Sequence, residues 1–365
     1  MEEDTSKYYR TNNFKIILGL LLVLASLNFI QFKFEASNNF IDNILRIFYF
    51  GITLLYLRID KANFRLYIHI ISYLLIYVSF SLINNVYYMD IINSCLFIVY
   101  YLCFISLDFQ KISKLKINVL LIKILFLFFL LSYLIQVFLF NIRRPIVFLE
   151  NNFELMFLSL ILVAVTKSKL LKSKLWLLIY SMIILVSGSK SGLLILLAIL
   201  IYYFLYQKNK VKKTYYLFTL SLLILFLGFN YIDFNSIDRY TFVLKAIDSI
   251  KLMNIVDVFF PFKLSPLPEP VCDTLLNSYT GSWLEIPGLC YGKVLHSWLI
   301  SSFLNHGLLI LLFINSVRKH LFEKFSNYSG LLLLIILING LSVSAFDSIY
   351  SWFGLLFIIP IWRKK

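Results

Sequence analysis

"SMIILVSGSKSGLLILLAIL", residues 181–200, is apolar at both ends and polar in the middle. Three serines, two glycines and a lysine, from Ser187 to Gly192, interrupt what would otherwise be one hydrophobic run. Glycine permits the left-handed backbone of a tight turn, so the stretch reads as two helices meeting at a hairpin tip. The flanking lysines set its depth. Two full membrane spans need about 40 residues, more than lie between Lys174 and Lys208. A helix from Lys174 to Lys190 rises about 24 Å, against a hydrocarbon core of about 30 Å. The tip is expected to stop short of the far surface. A lysine at that depth is costly unless it snorkels or meets an anion. Two readings stand: a snorkelling lysine at a hairpin, or a cation lining a water-filled cavity that opens outward. In the second, the serines offer hydroxyls to an anionic ligand. "GSKSG" is no P-loop, because Ser189 occupies the place where that motif needs glycine.

The rest of the chain agrees with a membrane setting. It is 60% hydrophobic and 15% charged over 365 residues, with mean hydropathy +0.84; soluble domains are nearer a quarter charged. Continuous apolar runs without strict alternation favour helices over a barrel. The fold class expected is an all-α polytopic membrane protein, a single integral domain over 1–365. About twelve spans are expected, near 14–31, 41–57, 66–84, 88–107, 117–139, 154–166, 175–188, 192–206, 214–232, 298–317, 329–345 and 348–362. The first run lacks a small-residue cleavage site and reads as a retained helix.

The net charge of +15 does not point to nucleic acid, because the cations sit in short clusters between apolar runs. Most of the 34 lysines and arginines fall in the connections on one side, among them Arg58, Lys111, Lys208 and Arg318. By the positive-inside rule that side is cytoplasmic and holds both termini. The long connection 233–297 is then external. So are Cys272 and Cys290, which form a disulfide candidate in an oxidising compartment, worth about 3 kcal/mol in the chain-entropy model; two isolated thiols are the alternative. Cys95 and Cys103 lie within a span.

Four clusters share the external side. The first is the tip at Lys190. The second is "NIRRPIVFLENNFELMF", residues 141–157, where Arg143, Arg144 and Glu150 occupy a short loop and Pro145 stops a helix from running through. The third is "DFNSIDRYTFVLKAIDSIKL", residues 233–252, with Arg239 near its start. Tyr240, Val243, Leu244, Ile247 and Ile250 recur at helical spacing, so an amphipathic helix near 238–252 is expected to lie on the membrane. The fourth is "KVLHSWLISSFLNHGLLILLF", residues 293–313, with His296 at the mouth of a span and Trp298 as an interface anchor. Each alone has a bland reading: lipid-headgroup contacts for the arginines, lipid anchoring for the helix, a structural hydrogen bond for the histidine. Together, Arg143, Arg144, Lys190, Arg239, Lys293 and His296 gather fixed cations on one face, which suits a phosphate or pyrophosphate.

In this order the motifs resemble the superfamily of O-antigen polymerases and O-antigen ligases, over roughly residues 141–315. "SGSKSGLL" resembles the family's Ser-x-Ser-Arg hairpin, with Lys190 for arginine. "RPIVFLENNF" resembles a polymerase pattern, Arg-Pro-x-x-Phe-x-Glu, in Arg144, Pro145, Phe148 and Glu150, with Asn151-Asn152 where Pro-Ser is usual. "RYTFVLKAIDSI" resembles the Arg-led helix that opens the large periplasmic loop. In "HSWLISSFLNHGLLILLF", His296 and Gly307 match the family pattern, whereas Ser297, Asn305 and the missing second glycine depart from it.

The resemblance implies a multi-pass glycosyltransferase of the bacterial inner membrane, active at the periplasmic face, inverting, and needing neither metal nor cofactor. Its donor would be an oligosaccharide on undecaprenyl pyrophosphate. Arg143, Arg144, Lys190 and Arg239 would hold the pyrophosphate, and His296 or Glu150 would take the acceptor's proton. Alternatively, His296 positions the diphosphate. Partners implied are the lipid-linked oligosaccharide, membrane lipids and a polysaccharide chain-length regulator. The polymerase pattern favours polymerase over ligase. A lipid-linked oligosaccharide flippase and a non-catalytic scaffold are the readings from other classes.

Overall fold

The computed structural model describes residues 39–60, 63–114, 119–147, 151–167, 173–206, 238–278, 297–325, 328–341 and 345–361. The expected spans 14–31 and 214–232 lie outside these. Among the described residues the regular structure is helical, and the lone β-bridge joins Leu57 to Leu107. Three helices are long and apolar enough to cross a bilayer unaided: α2 (Phe64–Ile83), α3 (Tyr88–Ile105), and α5 (Val119–Phe138) from Leu120 onward. Five shorter apolar helices join them: α6 (Asn151–Lys167), α7 (Ser173–Ser187), α8 (Lys190–Tyr206), α14 (Ser329–Gly340) and α15 (Ile349–Ile361). The remainder are α1 (Asn39–Leu55), α4 (Phe109–Ile112), α9 (Asp238–Leu252), α10 (Ile255–Phe259), α11 (Glu269–Ser278), α12 (Trp298–His306) and α13 (Leu309–Phe325). Large apolar side chains such as Leu54, Ile83 and Phe138 are exposed. Apolar surface on that scale suits lipid better than water.

The core is built on α6 and α15. Both are mostly apolar, and both are buried along their described lengths, as expected of helices enclosed by others. Gly354 lets them approach closely: a Cβ there would stand 2.7 Å from Leu160 Cδ1. Small residues at such crossings are how apolar helices pack when the solvent itself is apolar.

Backbone and side-chain contacts sort the helix ends into two groups. At one end Leu57 pairs with Leu107, the Arg58 amide donates to Ser106 O at 2.7 Å, and the Asp108 amide to Tyr56 O at 2.8 Å. Lys324 stands over the Phe109 ring, and Thr166 bonds Tyr203. At the other end Gln136 bonds Ile146, Asn152 bonds Ser189, and Ser297 bonds Gly340. Lys263 reaches Asn84 there, at 2.9 Å. Among the described residues, α2 and α3, α5 and α6, and α7 and α8 therefore run in opposite directions.

One expected span is overturned. Residues 298–317 are not a continuous helix but α12 and α13, broken at Gly307, whose φ is +58°. Trp298 lies 6.2 Å from Phe313, ring to ring, because the chain doubles back. Trp298 is fully buried among Phe97, Phe313 and Phe346, and so is a core residue instead of an interface anchor. The break is pinned from outside the hairpin, where the Leu308 amide donates to Phe259 O at 3.0 Å.

Candidate functional site

The site is built from the loop 141–147 and the turn between α7 and α8. Gly188 adopts φ +63°, the left-handed cap that ends many helices. Ser189 then caps α8: its Oγ accepts from the Gly192 amide at 3.0 Å. Serine is a preferred N-cap because it satisfies one of the amides that a helix start leaves unpaired. The hydroxyls of Ser189 and Ser191 both donate to Asn152 Oδ1 on α6, at 2.7 and 2.9 Å. Ser187 donates to Ile184 O at 2.6 Å.

All three serines are buried. The expectation that they present hydroxyls to an anion is thereby corrected: their protons are used in holding the turn. Lys190, half-buried, is the first residue of α8. Its charge adds to the positive end of the helix dipole.

The loop carrying Arg143 and Arg144 is clamped from below. Gln136 brackets Ile146, donating to its carbonyl at 2.7 Å and accepting from its amide at 2.8 Å. Glu154, completely buried in the first turn of α6, accepts from the Val147 amide at 2.9 and 3.0 Å and from the Tyr133 hydroxyl at 2.7 Å. A buried carboxylate is costly unless it is well hydrogen-bonded, and these donors are its compensation. Arg143 and Arg144 remain exposed.

The two pieces touch. A Cβ on Gly188 would lie 3.2 Å from the Arg143 carbonyl oxygen, so the arginine loop and the Lys190 turn share one helix end. Two exposed guanidiniums, a lysine and a helix N-terminus together attract a polyanion.

The remaining expected site residues fare differently. Arg239 falls in the first turn of α9, whose backbone is described although that side chain is not; α9 packs against α11 and α12. On α9, Val243, Leu244, Ile247 and Ile250 are exposed, while Ala246 and Ser249 are buried. Glu150, Lys293, His296 and Cys290 lie outside the described residues. Cys272 is disulfide-bonded, and Cys95 and Cys103 are free thiols. Among the described residues, no group of three or more His, Cys, Asp and Glu gathers to hold a metal.

Sequence reasoning missed Tyr133, Gln136, Asn152 and Glu154. The signal was available, since each is a polar residue in or beside an apolar run, and intramembrane polar groups call for a partner. Compared with protein-family models, with curated proteins and with solved structures, the chain finds no match.

Proposed function

We propose that this protein is a polymerase of O-antigen or another bacterial surface polysaccharide. It would join oligosaccharide repeats carried on undecaprenyl pyrophosphate at the periplasmic face of the inner membrane, as one of twelve-span topology. The observation that carries the reading is the meeting of the Arg143–Arg144 loop with the Lys190 turn at one helix end, supported by the order of motifs in the sequence. These cations, with Arg239, hold the donor's pyrophosphate and stabilise the charge that builds on it as the glycosidic bond to the carrier breaks. The hydroxyl of the acceptor sugar attacks the anomeric carbon from the opposite side, which inverts it. His296 or Glu150 takes the hydroxyl proton, and pyrophosphate leaves with its lipid. No metal enters the transfer.

Gene deletion followed by a gel of the surface polysaccharide tests this. Loss of a polymerase leaves lipid A core capped with one repeat. Bare core with polymer retained on the carrier would indicate a ligase, and loss of even the single repeat a flippase. An unchanged ladder would reject all three. In the complemented strain, Arg144→Ala combined with Lys190→Ala should abolish polymer at normal membrane levels of the protein. A full ladder from that double variant would remove the site assignment.

A further inference from the structure

The group of helix ends away from the candidate site holds an apolar groove of about 330 Å³, a size that suits a bound small molecule. Its walls are Leu57 and Ile59 after α1, Phe64, Ile68 and Ile71 on α2, and Leu102 on α3. From Phe64 to Ile71 the helix rises about 10 Å. The one hydroxyl of Ser106, also in the lining, is spent on Leu102 O at 2.6 Å. The groove is held in shape by backbone bonds: the Arg58 amide to Ser106 O and the Asp108 amide to Tyr56 O fasten residues 57–59 to the end of α3. Leu57, Ile59, Phe64, Ile68 and Ile71 are themselves exposed, as are Leu54, Leu55 and Leu75 nearby in the chain. The groove therefore opens on apolar surface that suits lipid.

Charge gathers at one end of this groove, and no charged residue lines it. The chain from Leu57 to Arg65 carries Arg58, Lys61 and Arg65 against a single carboxylate, Asp60. Arg58 lies between the wall residues Leu57 and Ile59. Arg65 follows Phe64 and precedes Ile68 by one turn. Both arginines are exposed. Arg58 Nη1 comes only to 3.9 Å from Asp108, which Lys111 Nζ approaches more closely, at 3.4 Å. Asn63 provides no side-chain cap to the start of α2, so the first amides of that helix add partial positive charge beside Arg65.

We propose that this groove binds one anionic phospholipid of the surrounding bilayer, with its phosphate at Arg58 and Arg65 and an acyl chain along Phe64, Ile68 and Ile71. Cations at one end and apolar walls beyond them match an amphiphile with an anionic head. A free anion would gain nothing from the walls, and a neutral lipid little from the arginines. The guanidinium fork matches phosphate oxygens two at a time, and basic pockets beside membrane helices recognise anionic headgroups. A lipid seated there ties the connection between α1 and α2 to the end of α3. Its place is separate from the pyrophosphate site proposed above, which lies with the other group of helix ends.

The test uses the full-length chain, purified in detergent, delipidated, and titrated with phosphatidylglycerol or phosphatidylcholine. Native mass spectrometry weighs the intact complexes. One phosphatidylglycerol per chain is expected, bound more tightly than phosphatidylcholine by about fivefold for each arginine engaged. Arg58→Gln combined with Arg65→Gln should bring the two lipids to equal affinity. Ile68→Trp, which fills the groove, should weaken both. Should Ile68→Trp fail to fold, Ile71→Phe makes the same comparison. Absence of a saturable one-to-one complex overturns the proposal, as does equal affinity of the parent chain for the two lipids. A preference that the double arginine variant leaves unchanged also overturns it. So does full displacement of phosphatidylglycerol by inorganic phosphate, which would mean that the walls contribute nothing. Because the readout is lipid binding, its result is independent of whether the chain makes polysaccharide.

Discussion

Asn152 organises the residues around the candidate site. One carboxamide oxygen receives two buried serine hydroxyls from a turn that is distant in sequence. Removing it leaves one of the two hydroxyls the other's oxygen to donate to, at 3.1 Å, and strands the second donor, at about 1–3 kcal/mol for a polar group left unmatched. Asn152→Ala should therefore lower thermal stability by roughly 1–3 kcal/mol, whereas Asn152→Asp, which keeps an acceptor there, should lose less. Unfolding of both variants in detergent checks this; equal losses would show that the carboxamide oxygen is not what matters.

Asp108 offers a pH-dependent counterpart at the opposite end. Burial works against its charged form, but hydrogen bonds from the backbone and side chain of Lys111, with the charges of Lys111 and Arg58, outweigh it and lower its pKa. A lowered folded-state pKa means that the carboxylate stabilises the fold above its unfolded value of about 3.9. That contribution is lost as the pH falls through the folded value. Melting curves between pH 7 and pH 3 should show an acid-side loss that Asp108→Asn reduces, and identical profiles would contradict it.

At the scale of elements, the hairpin of α7 and α8 was legible and the hairpin of α12 and α13 was not, for a physical reason. Gly188 sits among polar residues, so the local pattern marks a turn. Gly307 sits in "FLNHGLLILLF", where the residues after it are apolar and suit a continuing helix. What breaks the helix there is distant: Phe259 O receives the Leu308 amide, and a Cβ on residue 307 would overlap that same carbonyl and approach Pro261 Cδ to 2.7 Å. The serine turn shows the same limit at finer grain. Its position could be read from spacing, but the fate of its hydroxyls depended on Asn152, which no local pattern links to it. Gly307→Ala combines an unfavourable positive φ with a backbone clash. It should destabilise the chain by roughly 2–5 kcal/mol, seen as low membrane yield and early thermal unfolding. Gly330→Ala, where an added Cβ meets nothing within 4 Å, is the control and should be nearly silent. Equal behaviour of the two variants would mean that the break at Gly307 is not required.

For the whole molecule, the sorting of helix ends makes a claim about sides. The end with Arg58, Asp108, Lys111 and Lys324 gathers basic connections, and the end with Arg144, Lys190 and Lys263 carries the candidate site. The contacts separate these two groups of helix ends; that the first group faces the cytoplasm is an expectation from the positive-inside rule. The two statements separate in one experiment. Arg144→Cys and Lys111→Cys, both at exposed positions, are labelled in intact spheroplasts with a membrane-impermeant maleimide, and again after permeabilisation. Cys95 is buried and Cys103 partly so, which keeps the native background low. Residue 144 should label from outside, and residue 111 only after permeabilisation. The reverse pattern would invert the orientation while keeping the two ends. Labelling of both positions from one face would mean that the ends are not membrane sides at all, and the proposed periplasmic transfer would lose its setting.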